Sequence, residues 1–377
     1  MPLIGDHAMR VLHILDELKF SGAEIMYVAA AKQFQEMGCE LYVVNTADHL
    51  GEYTPFFQEA GYTILHWPYE HLSLFQKFIY WNRTIRFIQR NKIDVVHVHR
   101  PDMKCPMAYC AWRAGVSSVY TYHNVFPSRV LTYPYHVLLR YVCKYLFHQV
   151  QQTISDSVYE HELNYFHNST ILINNWYNSN KYYPAREGEK SLIRQELGIC
   201  PESFVIISVG GCSTIKRHED ILQAVAMIRQ SCPQILYLHL GEGDKTEEER
   251  QLAASLGIGD AVRFLGNQKD VRPYLIAADI YVMPSRFEGM PITAIEAMAC
   301  GVPAVFYNVP GLWDFNKHGD CSLLVEEQPE RLAEAIIQLF HDPERQKRLV
   351  AQASDYILSE FDMATNVNKI IELYKEN

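Results

Sequence analysis

No stretch of eighteen apolar residues occurs in the 377-residue chain, so no segment reads as a membrane-spanning helix. The segment Met1 to Ala8 lacks the basic region followed by an apolar run that a secretory leader carries, and Met9 opens the first apolar run. Residues 1–8 therefore read as an extension. Cys-x-x-Cys pairs are absent too. The nine cysteines are odd in number and widely spread, which fits reduced thiols. No disorder-prone tract stands out, and 48% hydrophobic with 21% charged residues is an ordinary globular composition, long enough for two domains. A cytoplasmic protein is the default expectation.

Acidic charge is scarce in one place only. Residues 71–151 contain eleven Lys or Arg against Asp94 and Asp102 alone, although the whole chain carries a net charge of −10. Within this basic island, residues 72–92 interleave Phe75, Phe78, Tyr80, Trp81, Ile85, Phe87 and Ile88 with five basic side chains. Such a helix can lie at a membrane surface, or it can pack as an amphipathic helix with a cationic solvent face. The first alternative predicts peripheral contact with the inner face of the membrane. No nucleic-acid motif accompanies the charge, so nucleic acid is not an expected partner.

Short apolar runs alternate with longer helical patterns from Met9 onward: strands at 10–15, 40–45, 94–99, 118–122 and 150–154, with helices near 23–37 and 72–91. This alternation implies a parallel sheet covered by helices. The polar segment 177–190, with Pro184 and Gly188, interrupts it. The pattern restarts with runs at 204–209, 221–228, 235–240, 262–265, 280–283 and 303–306, a second doubly wound unit. Helical patterns at 330–341 and 343–358 follow, and a last helix near 363–375 is expected to pack back on the first domain. The expected division is 1–180, 181–358 and 359–377.

Open α/β sheets bind ligands past the carboxyl ends of their strands. After the run at 280–283 comes Arg286-Phe287-Glu288-Gly289-Met290-Pro291, then a helix beginning near Met290 or Pro291 that carries Glu296. One acid sits in the loop and one on the helix, with the free N–H groups of the helix start between them. Those donors attract phosphate, so the pair suggests a sugar-nucleotide site. After 204–209 comes Gly210-Gly211-Cys212-Ser213-Thr214-Ile215-Lys216-Arg217, where Lys216 is placed to neutralise a diphosphate. In the first domain Gly22 follows a strand and would let backbone approach a ligand. His123 follows another strand and could hydrogen-bond a sugar or polarise a reacting centre. His97 and His99 alternate along one strand, with no third metal ligand evident nearby in sequence.

Together these residues resemble the retaining glycosyltransferases of family four. The resemblance runs from Gly22-Ala23-Glu24 through Val95-Val96-His97-Val98-His99, Ile173-Asn174-Asn175 and Gly241-Glu242-Gly243 to Ala297-Met298-Ala299-Cys300-Gly301-Val302-Pro303, and its most specific part is the pair Glu288 and Glu296 with their flanks. It implies the GT-B fold, two doubly wound Rossmann-like parallel-sheet domains facing a central cleft. It also implies roles: Glu288 on donor-sugar hydroxyls, Glu296 on the ribose, and Lys216 on the diphosphate. Arg217 would assist Lys216, with Gly210 and the backbone of Met290, Pro291 and Ile292 against the donor, Gly22 against the phosphate and His123 near the anomeric carbon. His97 and His99 match a strand common in the family, which favours a structural role. Neither metal nor cofactor is implied: a UDP- or GDP-sugar is the donor substrate, and a cell-surface polysaccharide or lipid-linked glycan precursor is the acceptor. A nucleotide-sugar epimerase, or a sugar-nucleotide-binding protein without turnover, shares the architecture.

Two departures stand out. The family usually has Arg where this chain has Gly211, which moves the phosphate onto Lys216. Pro310-Gly311-Leu312-Trp313-Asp314 also replaces the usual glycine pair and Glu.

Overall fold

The structure, a computed structural model, describes residues 8–125 and 130–376. The extension expected at residues 1–8 therefore lies, apart from Ala8, outside the described residues, as does Arg129 of the basic island. The chain divides into two compact units, Met1–Trp176 with Met363–Asn377, and Tyr177–Asp362.

The first unit is built on a seven-stranded parallel sheet: β1 (Met9–Leu15), β2 (Cys39–Asn45), β3 (Thr63–His66), β4 (Val95–Val98), β5 (Ser117–Tyr122), β6 (Val150–Thr153) and β7 (Ile171–Leu172). Their order is β3-β2-β1-β4-β5-β6-β7. β4 is buried at all four residues, and β1 at its last five, as expected of a sheet covered on both faces. The order reverses between β1 and β4, so the loop after β1 and the residues after β4 and β5 share the edge where such sheets take ligands. Gly22, His99 and His123 all lie past those strand ends.

The second unit repeats the plan with six parallel strands: β8 (Phe204–Val209), β9 (Ile235–Leu240), β10 (Val262–Phe264), β11 (Ile280–Met283), β12 (Ala304–Tyr307) and β13 (Leu323–Val325), ordered β10-β9-β8-β11-β12-β13. Its reversal falls between β8 and β11, the two strands that lead into the Lys216 and Glu288 loops. The apolar run at 221–228 belongs to the helix His218–Ile228, which buries Ile221, Leu222, Val225 and Ile228 at helical spacing.

The division falls at 176/177 rather than 180 because the buried Trp176 donates its indole N–H to the Met26 carbonyl of the first unit, at 3.2 Å. Tyr177 instead donates its backbone N–H to the Phe361 carbonyl of the second, at 3.1 Å. The last helix, Met363–Lys375, completes the first unit: Tyr374 stacks on Phe34 and its hydroxyl lies 2.6 Å from Nδ1 of the fully buried His97. Replacing Tyr374→Phe leaves that imidazole nitrogen without its partner, and a buried polar atom so orphaned costs about 1–3 kcal/mol. Urea unfolding should show a loss of that size; an unchanged midpoint would mean that apolar packing alone fastens the helix.

Candidate functional site

In the second unit the loop after β8 is shaped by close backbone approach. Gly241 has φ +132°, and a β-carbon there would stand 2.0 Å from the Gly210 carbonyl oxygen; one at Gly243 would stand 2.4 Å from that of Cys212. Only glycine fits at either position. Gly211, where the family usually has Arg, is tight as well: a β-carbon would lie 3.1 Å from the Glu242 carbonyl oxygen. A side chain at 211 would require the Glu242 carbonyl to shift by a few tenths of an ångström.

Lys216 folds back along this loop, its Cε 3.6 Å from where a Gly210 β-carbon would be, and donates through Nζ to Glu288 Oε1 at 2.6 Å. The structure therefore joins two residues that lie 72 positions apart in sequence. Glu288 is held from behind by the second departure: its backbone N–H donates to the Pro310 carbonyl at 3.0 Å, and Gly311, at φ +81°, leaves no room for a β-carbon, which would lie 2.3 Å from the Glu288 carbonyl oxygen. Arg217 is not brought to this pair. In left-handed backbone at φ +52°, its guanidinium contacts Asp220 at 2.7 Å and Glu327 at 2.8 Å and lies over the Tyr307 ring, so its charge is already compensated.

The helix that follows spans Ile292–Ala299, beginning after the expected Met290 or Pro291 because Pro291 keeps extended backbone at ψ 117° and serves as the cap. Its start is tied to the sheet by Thr293, whose hydroxyl donates to the Val209 carbonyl at 3.1 Å and lies 3.0 Å from the Tyr281 hydroxyl. Met290, Pro291 and Ile292 are buried in the turn. Glu296 is buried on the helix; burial pushes its carboxyl up to about 7, against the opposing effects of a Tyr182 hydrogen bond and the Lys181 charge.

In the first unit Gly22 opens the helix Gly22–Glu36 as expected, with Ser21 as the cap residue, its hydroxyl bonded to the Glu24 carboxylate. His123 Nε2 lies 3.0 Å from His99 Nδ1, and His99 Nε2 lies 3.2 Å from His13 Nδ1. Burial lowers His123 to about 4, so its imidazole is neutral near pH 7. The sequence reading gave His99 a structural role and missed that it orients His123; nor did it find the third histidine, which comes from β1. His97 does serve structure, bonded to Thr121 and Tyr374. A cavity of about 1050 Å³, also unforeseen, is lined by His99, His123, Tyr122, Trp81, Tyr135 and Arg140. At its wall Arg140 and Glu162 form a two-pronged buried ion pair at 2.6 and 2.7 Å.

Two doubly wound parallel sheets, of seven and six strands, are the architecture of the GT-B class of proteins. Residues 20–163 match the family described as Glycosyltransferase Family 4, and residues 189–356 match Glycosyl transferases group 1. The chain belongs to this family and is a glycosyltransferase. It is 26% identical over 370 residues to N-acetyl-alpha-D-glucosaminyl L-malate synthase of Bacillus anthracis, covering 94% of this chain and 93% of that protein. To D-inositol 3-phosphate glycosyltransferase of Thermobispora bispora it is 29% identical over 217 residues, spanning about half of either chain (54% and 50%). Its fold matches the crystal structure of Anabaena HepE in complex with UDP, with TM-score 0.83, 20% identity and coverage of 98% and 100%.

The raised Glu296 carboxyl has a consequence for stability. Between its ordinary value of 4.5 and about 7, the folded protein holds a proton that the unfolded chain has lost, so stability falls as pH rises through that window. Replacing Glu296→Gln should raise stability by about 2–3 kcal/mol at pH 8, with the gain vanishing as pH falls to about 4. Urea melts of both proteins across that range measure it; a gain independent of pH would contradict the assignment.

Proposed function

We propose that the protein is a retaining glycosyltransferase that takes a UDP- or GDP-sugar and passes its sugar to a hydroxyl of a cell-surface or lipid-linked glycan precursor. The observation that carries this reading is the Lys216–Glu288 pair, 2.6 Å apart at the order reversal of the second sheet, beside the start of the helix Ile292–Ala299. A diphosphate over that helix start meets backbone donors, Lys216 and the close backbone of Gly210. Glu288 then gives up part of its bond to Lys216 and accepts from the donor-sugar hydroxyls, while Glu296 accepts from the ribose. Lys216 supplies the cation, so the diphosphate needs no metal.

In this reading the bond from the anomeric carbon to the diphosphate breaks as the acceptor oxygen approaches the same face, and a diphosphate oxygen takes the acceptor proton. Retention then requires no protein base. The roles of Gly22 at the phosphate and His123 at the sugar rest on the family resemblance. HepE, solved with UDP-glucose, and the Bacillus anthracis synthase named for a glucosaminyl group favour a UDP-sugar.

Calorimetric titration with UDP, GDP and ADP, without added divalent cations, tests the donor site. Lys216→Ala and Glu296→Ala should each weaken nucleotide binding by tenfold or more, about 1.4 kcal/mol or above. Unchanged affinity in both variants would overturn the site.

The acceptor reading draws on the surface of the first unit. The helix Leu74–Arg90 leaves Leu74, Phe75, Phe78 and Ile79 in solvent, Leu74 at 87% and Phe75 at 73% exposure, with Arg83, Arg86 and Arg90 exposed farther along. Val130, Leu131, Tyr135 and Leu138 are also exposed, and Trp81 and Tyr135 line the same cavity as His123. No helix among the described residues is long and apolar enough to cross a membrane. Apolar side chains with neighbouring cations suit an anionic bilayer surface that presents a lipid-linked acceptor. Sedimentation with vesicles of mixed phosphatidylcholine and phosphatidylglycerol should show binding that falls at least tenfold in the triple variant Leu74→Ser, Phe75→Ser, Phe78→Ser. Binding that survives those changes would remove this helix from the interface.

A further inference from the structure

The second unit holds a closed cluster that the donor site does not use. Cys212 lies in the glycine loop after β8, His218 opens the helix His218–Ile228, His239 stands on β9, and Glu249 lies in the first turn of the helix Thr246–Ser255. All four are at most 3% exposed. One ligating atom from each lies within 4.8 Å of every other. Cys212 Sγ is 3.1 Å from His239 Nε2, and His218 Nδ1 is 3.2 Å from Glu249 Oε1.

Three further features point to a ligand. Glu249 Oε2 is buried without a hydrogen-bond partner, an arrangement that costs free energy unless a cation relieves it. The other ring nitrogen of His239 lies 3.0 Å from Ser208 Oγ, which in turn lies 2.6 Å from the Tyr237 hydroxyl. This is the outer hydrogen bond that orients a metal-bound imidazole. Finally, the set supplies one sulfur, two imidazoles and one carboxylate, a mixture suited to a borderline divalent cation.

We propose that Cys212, His218, His239 and Glu249 form a tetrahedral site for Zn(II) or a cation of its class. Ligands at zinc bond lengths of about 2.0–2.3 Å stand roughly 3.3–3.8 Å apart, so the cluster closes on the ion with small side-chain movements. Binding replaces the thiol proton of Cys212, which leaves to solvent. With four protein ligands and no solvent exposure, the site is structural and leaves the diphosphate to Lys216. It fastens together the loops whose backbones already touch, since the Lys245 N–H donates to the Cys212 carbonyl at 3.2 Å and Gly243 lies against Cys212. The positions 212, 218, 239 and 249 follow no compact ligand spacing, and the family resemblance implies no metal at the donor site.

The test uses the full chain, stripped with chelator and titrated with Co(II). One equivalent should produce a thiolate-to-cobalt charge-transfer band with the strong visible bands of a tetrahedral centre, and Zn(II) should bleach both. Cys212→Ser should abolish the charge-transfer band and His239→Gln should weaken binding at least tenfold, while Cys200→Ser, at an exposed thiol, should change nothing. Zn(II) should raise the melting temperature of the wild type and not of Cys212→Ser; metal-free Cys212→Ser must melt with the metal-free wild type, which keeps a folding defect apart from a lost ligand. No thiolate band, or one that survives Cys212→Ser, overturns the proposal. Co(II) binding without that band overturns it as well and points to His13, His97 and His99 of the first unit, a cluster with no sulfur. Nucleotide titration is a separate readout, so failure of the donor reading leaves this result standing.

Discussion

The constraint on which the second unit depends is the absence of side chains where β8 and β9 release their loops. Gly241 and Gly243 let one backbone rest directly on another at Gly210 and Cys212, at distances that no β-carbon survives. That contact sets the path of the loop carrying Lys216, and Gly311 does the same for the loop carrying Glu288. The charged side chains of Lys216 and Glu288 therefore stand on loops whose paths are set by main-chain contact. Such preorganisation is what electrostatic catalysis requires, since groups already in place need no rearrangement as charge develops.

The two acids of the site work in different surroundings. Glu288 has a cation at 2.6 Å, so each compensates the other until a ligand arrives. Glu296 has a phenol and an apolar helix environment, and burial holds its carboxyl near 7. A hydrogen-bond donor brought to Glu296 would favour its ionised form, against the burial that costs stability. Glu288 is thus paired with a charge, whereas desolvation raises the Glu296 carboxyl.

Much of the architecture was legible because fully buried parallel strands are short apolar runs separated by helices. The central strands β1, β2, β5, β8, β9 and β11 lie within a residue of their expected limits. The edge strands β3, β7 and β13 were not expected: β7 is two exposed residues and β13 is three half-buried ones, too short to show a period. Lys216 and Glu288, singled out from their place after strands, are brought within 2.6 Å of each other, and Glu296 is buried on the helix that follows. What escaped was whatever depends on neighbouring strands meeting. His99 and His123 touch because β4 and β5 pair in register, and His13 joins them from β1. The pairing of Arg217 with Glu327, 110 residues downstream, has no local signal in the sequence.

The return of the helix Met363–Lys375 to the first unit means that this unit is not continuous in sequence. During synthesis the seven strands of the first sheet emerge early, yet the partner of His97 and the ring stacked on Phe34 belong to Tyr374, made only after the second unit. The unit that begins the chain thus cannot complete its core until the whole of the other has been translated. Domains usually mature in the order in which they are made. Here the last helix is the closing step for the first unit, and a chain cut short after residue 362 would leave that unit with an open seam.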